Sequence, residues 1–213
     1  MEQEFRAPSL LSRLVKRVVL LLFAYKGWSL ERDAPTPRRC SMLGVPHTSN
    51  WDFIFFAGAT YHLGIAPNFM GKKSLFRWPL RRFMFDMGGI PIDRRAKDHN
   101  YVEQMIAHFT ARNELALVVA PEGTRAPVKS WRSGFYHIAL GAGVPLVPAW
   151  VDTPAKRGGV GAPIALTGNY GVDLAKVLAF YERVLPGHPR LSALAATVAA
   201  AISGGNDASS FGT

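Results

Sequence analysis

Leu115-Ala116-Leu117-Val118-Val119-Ala120-Pro121-Glu122-Gly123-Thr124-Arg125 combines an apolar run with an abrupt polar stop. The first six residues read as a strand, and Pro121 to Arg125 as the turn that ends it. That turn offers exposed backbone N–H groups, a hydroxyl and a guanidinium, which are parts suited to an anion. An ion pair between Glu122 and Arg125 is the structural alternative. Working outward, similar short runs predict strands at Ser41–Val45, Pro67–Met70, Gly89–Ile92, Pro145–Val151 and Ala162–Leu166. Helical spacing fits Asp52–Leu63, Leu75–Met84, Asn100–Thr110 and Phe135–Gly143, then Val172–Leu185 and Leu191–Ile202. Strands alternating with helices predict a single α/β domain with a mostly parallel central sheet flanked by helices. If the strands are parallel, the segments that follow them emerge at one carboxyl edge, where open α/β sheets place ligands.

Three polar segments then share that edge. After the first predicted strand comes Pro46-His47-Thr48-Ser49-Asn50-Trp51-Asp52. A carboxylate at Asp52 can accept from one imidazole nitrogen of His47 and fix its tautomer, leaving the other nitrogen as a general base. On one continuous helix a five-residue step turns the two side chains about 140° apart. The dyad therefore requires His47 in the loop and Asp52 in the first helical turn, a boundary that Pro46 and the capping residues Thr48, Ser49 and Asn50 favour. A loop histidine beside a capping turn is the plain alternative. The third strand lies within Gly88-Gly89-Ile90-Pro91-Ile92-Asp93-Arg94, in which the glycines permit a tight entry and Arg94, at the exit with Asp93, can fork onto a phosphate. Lys72 and Lys73 add positive charge upstream. The third segment is Glu122 to Arg125.

The chain has 213 residues, enough to bury a core without disulfides or a structural metal. Its 25 Lys and Arg against 15 Asp and Glu leave a net charge of +10, which calls for an anionic partner. A lone cysteine, Cys40, excludes a disulfide framework and a Cys-based zinc site, and reads as a small buried hydrophobe. At the N-terminus, Val18 to Tyr25 is uninterrupted apolar sequence, too short to span a bilayer. Lys26-Gly27-Trp28-Ser29 offers no small-residue cleavage pattern for a signal peptide. Leu10, Leu11, Leu14 and Val15 add to that run, Arg13, Lys16, Arg17 and Lys26 bracket or interrupt it, and residues 1–30 read as a basic amphipathic helix in a membrane interface. An ordinary first helix packed on the core is the alternative. Residues 31–203 form the expected domain, and 204–213 a flexible tail.

Other motifs fail. Trp131-Arg132-Ser133-Gly134-Phe135 lacks the first glycine of a nucleophile elbow. Gly141-Ala142-Gly143-Val144-Pro145-Leu146 lacks the third glycine of a dinucleotide loop. No His-Glu-x-x-His helix and no phosphate loop ending in Gly-Lys-Ser/Thr occurs in the sequence.

In order, the segments resemble the glycerolipid acyltransferase family, whose bacterial prototype acylates 1-acylglycerol 3-phosphate. Its first motif, His with Asp five positions on, matches His47 and Asp52. Its second, Gly-x-x-x-x-Asp-Arg, looks like Gly88–Arg94. Its third, Glu-Gly-Thr-Arg, is matched in full by Glu122, Gly123, Thr124 and Arg125. Its fourth, apolar with proline, looks like Val144-Pro145-Leu146-Val147-Pro148. The resemblance covers about residues 40–150. It departs at Pro46, where many members carry asparagine, and at Pro91, often an aromatic. It implies transfer of an acyl group from acyl-CoA or acyl carrier protein to a lysophospholipid hydroxyl, 1-acylglycerol 3-phosphate before other lysolipids or amphipathic alcohols. His47 and Asp52 would be catalytic. Arg94, Glu122, Gly123, Thr124 and Arg125 would bind the glycerol phosphate, with Lys72 and Lys73 adding charge. It implies no metal and no cofactor, the donor being a substrate. The expected setting is peripheral, on the cytoplasmic face of a membrane with anionic lipids. A nucleic-acid module is disfavoured because the cations are dispersed without a recognition pattern. A membrane adaptor without catalysis is the third reading.

Overall fold

The computed structural model describes residues 8–25, 27–48, 56, 58–92 and 101–204. Seven strands form one sheet: β1 Ser29–Arg32, β2 Arg39–Val45, β3 Pro67–Lys72, β4 Gly89–Ile92, β5 Leu115–Val119, β6 Leu146–Asp152 and β7 Arg157–Val160, in the order β1-β7-β6-β2-β5-β3-β4. From β6 through β2, β5 and β3 to β4 every neighbour is parallel; β7 runs antiparallel to β6, and β1 is parallel to β7. The sheet is mostly parallel, as expected. Helices α1 Leu10–Tyr25, α2 Arg81–Asp86, α3 Tyr101–Thr110, α4 Gly134–Gly141, α5 Tyr170–Val184 and α6 Leu191–Ser203 accompany it.

The period-2 alternation of a strand sends successive side chains to opposite faces. β2 accordingly delivers Leu43 and Val45 to one apolar layer, with Leu117, Ile138, Leu174 and Leu194. It delivers Cys40 and Met42 to the other, with Phe56, Ile65 and Val147. Cys40 is fully buried, and burial pushes its thiol up to about 12, as fits a packed residue. On the first face α5 is fixed to the sheet by Tyr181, whose hydroxyl donates to the Leu43 carbonyl at 2.8 Å and lies 3.3 Å from that of Ala149. Those carbonyls belong to the adjacent strands β2 and β6, so one side chain ties a helix to both.

Several elements differ from the sequence expectation. Residues 162–166 form no strand; Ile164 makes a single bridge to Leu146. β7 and β1 take that flank instead, and neither carries an apolar run: they read Arg-Gly-Gly-Val and Ser-Leu-Glu-Arg. The helix predicted at Leu75–Met84 is divided into a 3-10 turn at Lys73–Phe76 and α2. Pro79 explains the break, because the residue before a proline is kept out of the helical region. Of the helix expected at Asp52–Leu63, residues 56 and 58–62 are described and helical. Of the tail expected at 204–213, residues 205–213 lie outside the described residues.

Helix α1 is present and carries two faces. Ser9 caps it, its hydroxyl accepting from the Ser12 N–H at 3.2 Å. Asp86 at the end of α2 accepts from the Ser9 N–H at 2.9 Å and from the Ser12 hydroxyl at 2.7 Å, which sets a carboxylate at the positive end of the helix. Burial acts to raise the Asp86 pKa, but these hydrogen bonds and Arg82 outweigh it and hold it below the ordinary value. Phe23 is buried and stacks on Trp28 at 5.0 Å. At about 100° per residue, Leu10, Leu11, Leu14, Val18, Leu21, Leu22 and Tyr25 fall within a stripe roughly 120° wide. All seven are exposed. Arg13 and Arg17 border that stripe. Lys16 does not join them: it lies on the packed side, 4.4 Å over the Tyr61 ring, and burial lowers its pKa. Among the described residues no helix is long and apolar enough to cross a membrane.

Candidate active site

Strand register determines where the polar segments meet. Leu43 pairs with Val119, Phe69 with Val118 and Lys72 with Ile92. Counting on from these pairs, Val45, Pro121, Lys72 and Ile92 lie level across four parallel strands. The segments that begin with Pro46, Glu122 and Lys73 therefore leave the sheet flush, at one carboxyl edge, where β4 also ends at Ile92. Strands lie about 4.8 Å apart. From β2 the neighbouring β5 is thus one spacing away, β3 about 10 Å and β4 about 14 Å. His47 is half-buried two residues beyond β2. Lys72 and Lys73 are exposed at the end of β3. Asp52 and Arg94 lie outside the described residues; the chain reaches Arg94 from the described end of β4.

The second segment enters its strand as its glycines suggest. Gly88 has φ +87°, and a Cβ there would stand 2.2 Å from the Pro67 carbonyl oxygen, so no side chain fits. Asn68 donates to the Gly88 carbonyl at 3.1 Å, which joins β3 to the turn before β4.

The turn after β5 is the best-defined part of the site. The Gly123 N–H donates to the Ala120 carbonyl at 3.0 Å, and Gly123 has φ +66°. A Cβ at Gly123 would come within 2.9 Å of the Arg132 side chain. Thr124 closes the next step, its hydroxyl accepting from the Ala126 N–H at 3.3 Å. Glu122 is 2% exposed and does not pair with Arg125. Its carboxylate accepts from Arg190 Nη1 at 3.2 Å, while Arg190 Nη2 donates to the Arg125 carbonyl at 2.6 Å. A single guanidinium from the start of α6 thus clamps both ends of the Glu-Gly-Thr-Arg turn. The Glu122 carboxylate holds this arginine, and the Arg125 side chain is left exposed at the edge.

Arg190 was not identifiable from sequence motifs, and neither was Tyr181 beneath β2. Each acts across a long chain separation, 68 residues for Arg190 to Glu122 and 138 for Tyr181 to Leu43. The only cue to Arg190 is a cation just before an apolar helix. An open depression of about 330 Å³ borders the turn, lined among others by Glu122, Thr124, Lys129 and Arg132. Its rim is cationic. Among the described residues no three His, Cys, Asp or Glu side chains gather as metal ligands.

Residues 37–152 match the family model described as Acyltransferase. Over 156 residues the chain is 28% identical to a 1-acyl-sn-glycerol-3-phosphate acyltransferase of Salmonella typhimurium, covering 65% of this chain and 62% of the relative. Over 117 residues it is 29% identical to the protein of that name from Escherichia coli K12, covering 52% of this chain and 46% of the relative. The chain thus spans less than two thirds of the length of the curated relatives it matches. No solved structure matches it.

Proposed function

Because the chain belongs to the acyltransferase family, we propose that it transfers a fatty acyl group to the hydroxyl of a lysophospholipid, with 1-acylglycerol 3-phosphate as acceptor. The curated relatives carry that acceptor in their names. The observation that carries the reading is the flush edge: His47 follows β2, and the Glu122–Arg125 turn follows its neighbour β5. One strand spacing, about 4.8 Å, is the scale on which a glycerol phosphate separates its reacting hydroxyl from its phosphate.

In this mechanism His47 accepts the proton of the acceptor hydroxyl as that oxygen attacks the thioester carbon of acyl-CoA or acyl carrier protein. The carbon–sulfur bond breaks, and the proton passes to the departing thiolate. Asp52 orients His47 and stabilises its charged form. Arg125, exposed at the edge, meets the phosphate, with Arg94 from the end of β4 and Lys72 and Lys73 from the end of β3 adding charge. Gly123 and Thr124 shape the turn that presents Arg125. Glu122 acts through Arg190 and does not meet phosphate directly, since like charges would repel.

The exposed stripe of α1, bordered by Arg13 and Arg17, suits a peripheral position on an anionic membrane surface, where the acceptor resides. A screen of purified protein with several lysolipid acceptors against acyl-CoA and acyl carrier protein tests the proposal. Product with 1-acylglycerol 3-phosphate is expected. Turnover confined to acceptors without phosphate would overturn the acceptor assignment.

A further inference from the structure

The exposed apolar surface is unevenly distributed. Among the described residues the large exposed hydrophobic side chains are seven on α1, then Leu75, Trp78 and Leu80, with Leu140, Val172 and Ile202 elsewhere. Leu75, Trp78 and Leu80 belong to Lys72-Lys73-Ser74-Leu75-Phe76-Arg77-Trp78-Pro79-Leu80-Arg81-Arg82, which holds five cations and no acid. Trp78 is 91% exposed. An indole left in water beside two leucines is an apolar projection ringed with positive charge.

The segment is anchored at both ends. It begins at Lys72, level with the other strand ends of the candidate active edge. Phe76 is buried and packs against Phe85 at 4.9 Å, which holds the 3-10 turn to α2 and leaves its neighbours outward. At the far end Asp86 receives the Ser9 N–H and Ser12 hydroxyl of α1. The projection therefore bridges the membrane-facing helix and the site.

We infer that residues 75–80 form a second bilayer contact, in which Trp78 with Leu75 and Leu80 enters the boundary between headgroups and acyl chains while Arg77 and Arg81 meet anionic lipid. Tryptophan favours that boundary because its ring is apolar and its N–H stays wet. The surrounding cations select an anionic bilayer over a neutral one. The inference rests on the reading that the protein works at a membrane surface, and it adds the consequence that the bilayer lies against the carboxyl edge itself, beside β3. The acceptor then reaches the site from the membrane without crossing bulk water.

The test is vesicle co-sedimentation of the full chain with phosphatidylcholine alone and with an equal mixture of phosphatidylcholine and phosphatidylglycerol. Trp78→Ala should weaken binding to the mixed vesicles by about tenfold. Leu80→Ser should weaken it in the same direction, and Arg77→Gln with Arg81→Gln should reduce the preference for the anionic mixture. Leu14→Ser with Leu21→Ser reports on α1 separately. If the native chain binds neither vesicle, the membrane-surface reading and this inference both fail. If the native chain binds and Trp78→Ala and Leu80→Ser bind as tightly, the inference alone fails. Turnover of Trp78→Ala should fall for acceptor in vesicles and hold for a dispersed short-chain acceptor. An equal fall on both would overturn the inference by placing Trp78 in the substrate site.

Discussion

Removing Arg190 perturbs the Glu-Gly-Thr-Arg turn from outside the motif. The Glu122 side chain is 1% exposed and that of Arg190 15%, so Arg190→Ala takes a paired cation from a carboxylate that solvent barely reaches. Breaking a buried pair by removing one partner costs about 3–5 kcal/mol. The same change deletes the 2.6 Å donor to the Arg125 carbonyl. For a chain of this size each kcal/mol lowers Tm by roughly 2–4 °C, so a fall of about 10 °C is expected by circular dichroism. Arg190→Ala with Glu122→Gln should recover much of that loss, because the buried charge disappears together with its partner. Arg190→Lys keeps a cation near Glu122 but cannot fork to both acceptors. It should be the most stable single variant, while raising KM for a phosphorylated acceptor more than it lowers kcat. Equal Tm for the native chain and Arg190→Ala would refute the reasoning, as would losses that simply add in the double variant.

Arg125→Ala should raise KM for 1-acylglycerol 3-phosphate by about tenfold, the scale of one charge-assisted hydrogen bond, and leave KM for the acyl donor unchanged; initial-rate kinetics with each substrate varied checks this. Gly123→Ala should cost about 1 kcal/mol or more, since it forces a side chain into φ +66° against Arg132, as denaturant unfolding will show. Asp173 is fully buried and accepts from the Tyr136 hydroxyl at 3.0 Å and from the Thr167 N–H at 2.8 Å. Burial acts to raise its pKa, but the bonds from Thr167, Lys176 and Tyr136 prevail and hold it below 3.8. Its stabilisation is present above about pH 3.8 and is lost as pH falls through the lower folded value. Asp173→Ala should lower stability by about 3 kcal/mol near neutrality, a difference that narrows on acidification in pH-resolved melts.

The sequence made the parallel sheet and the motif-bearing edge legible because both rest on local chemistry. Gly88-Gly89 punctuates the entry to β4, whose bounds Gly89–Ile92 coincide with the predicted ones. Pro121 marks the end of β5, one residue from the predicted stop. Where local chemistry is weak, the sequence carries no such signal. β1 and β7 hold together through edge pairing, with Arg157 at 2.5 Å from Glu31, and carry no apolar signal. Pro79 lies inside the predicted Leu75–Met84 helix and divides it, which apolar spacing alone does not register. Lys16 sorted with Arg13 and Arg17 by charge, yet helix geometry turns it onto Tyr61. Arg190 as a partner of Glu122 has no local signal for a different reason: ion pairing depends on tertiary proximity, and Arg190, at the start of α6, is brought to the turn by the packing of α6 against α5.

The central claim, that His47 beyond β2 is the base of an acyl transfer, is tested most directly by measuring initial rates of 1-acylglycerol 3-phosphate acylation for the native chain and His47→Ala, with melting curves alongside. The account predicts that His47→Ala loses transfer by about a hundredfold or more while melting with the native chain and binding vesicles as tightly. Turnover at the native rate in that variant would contradict it.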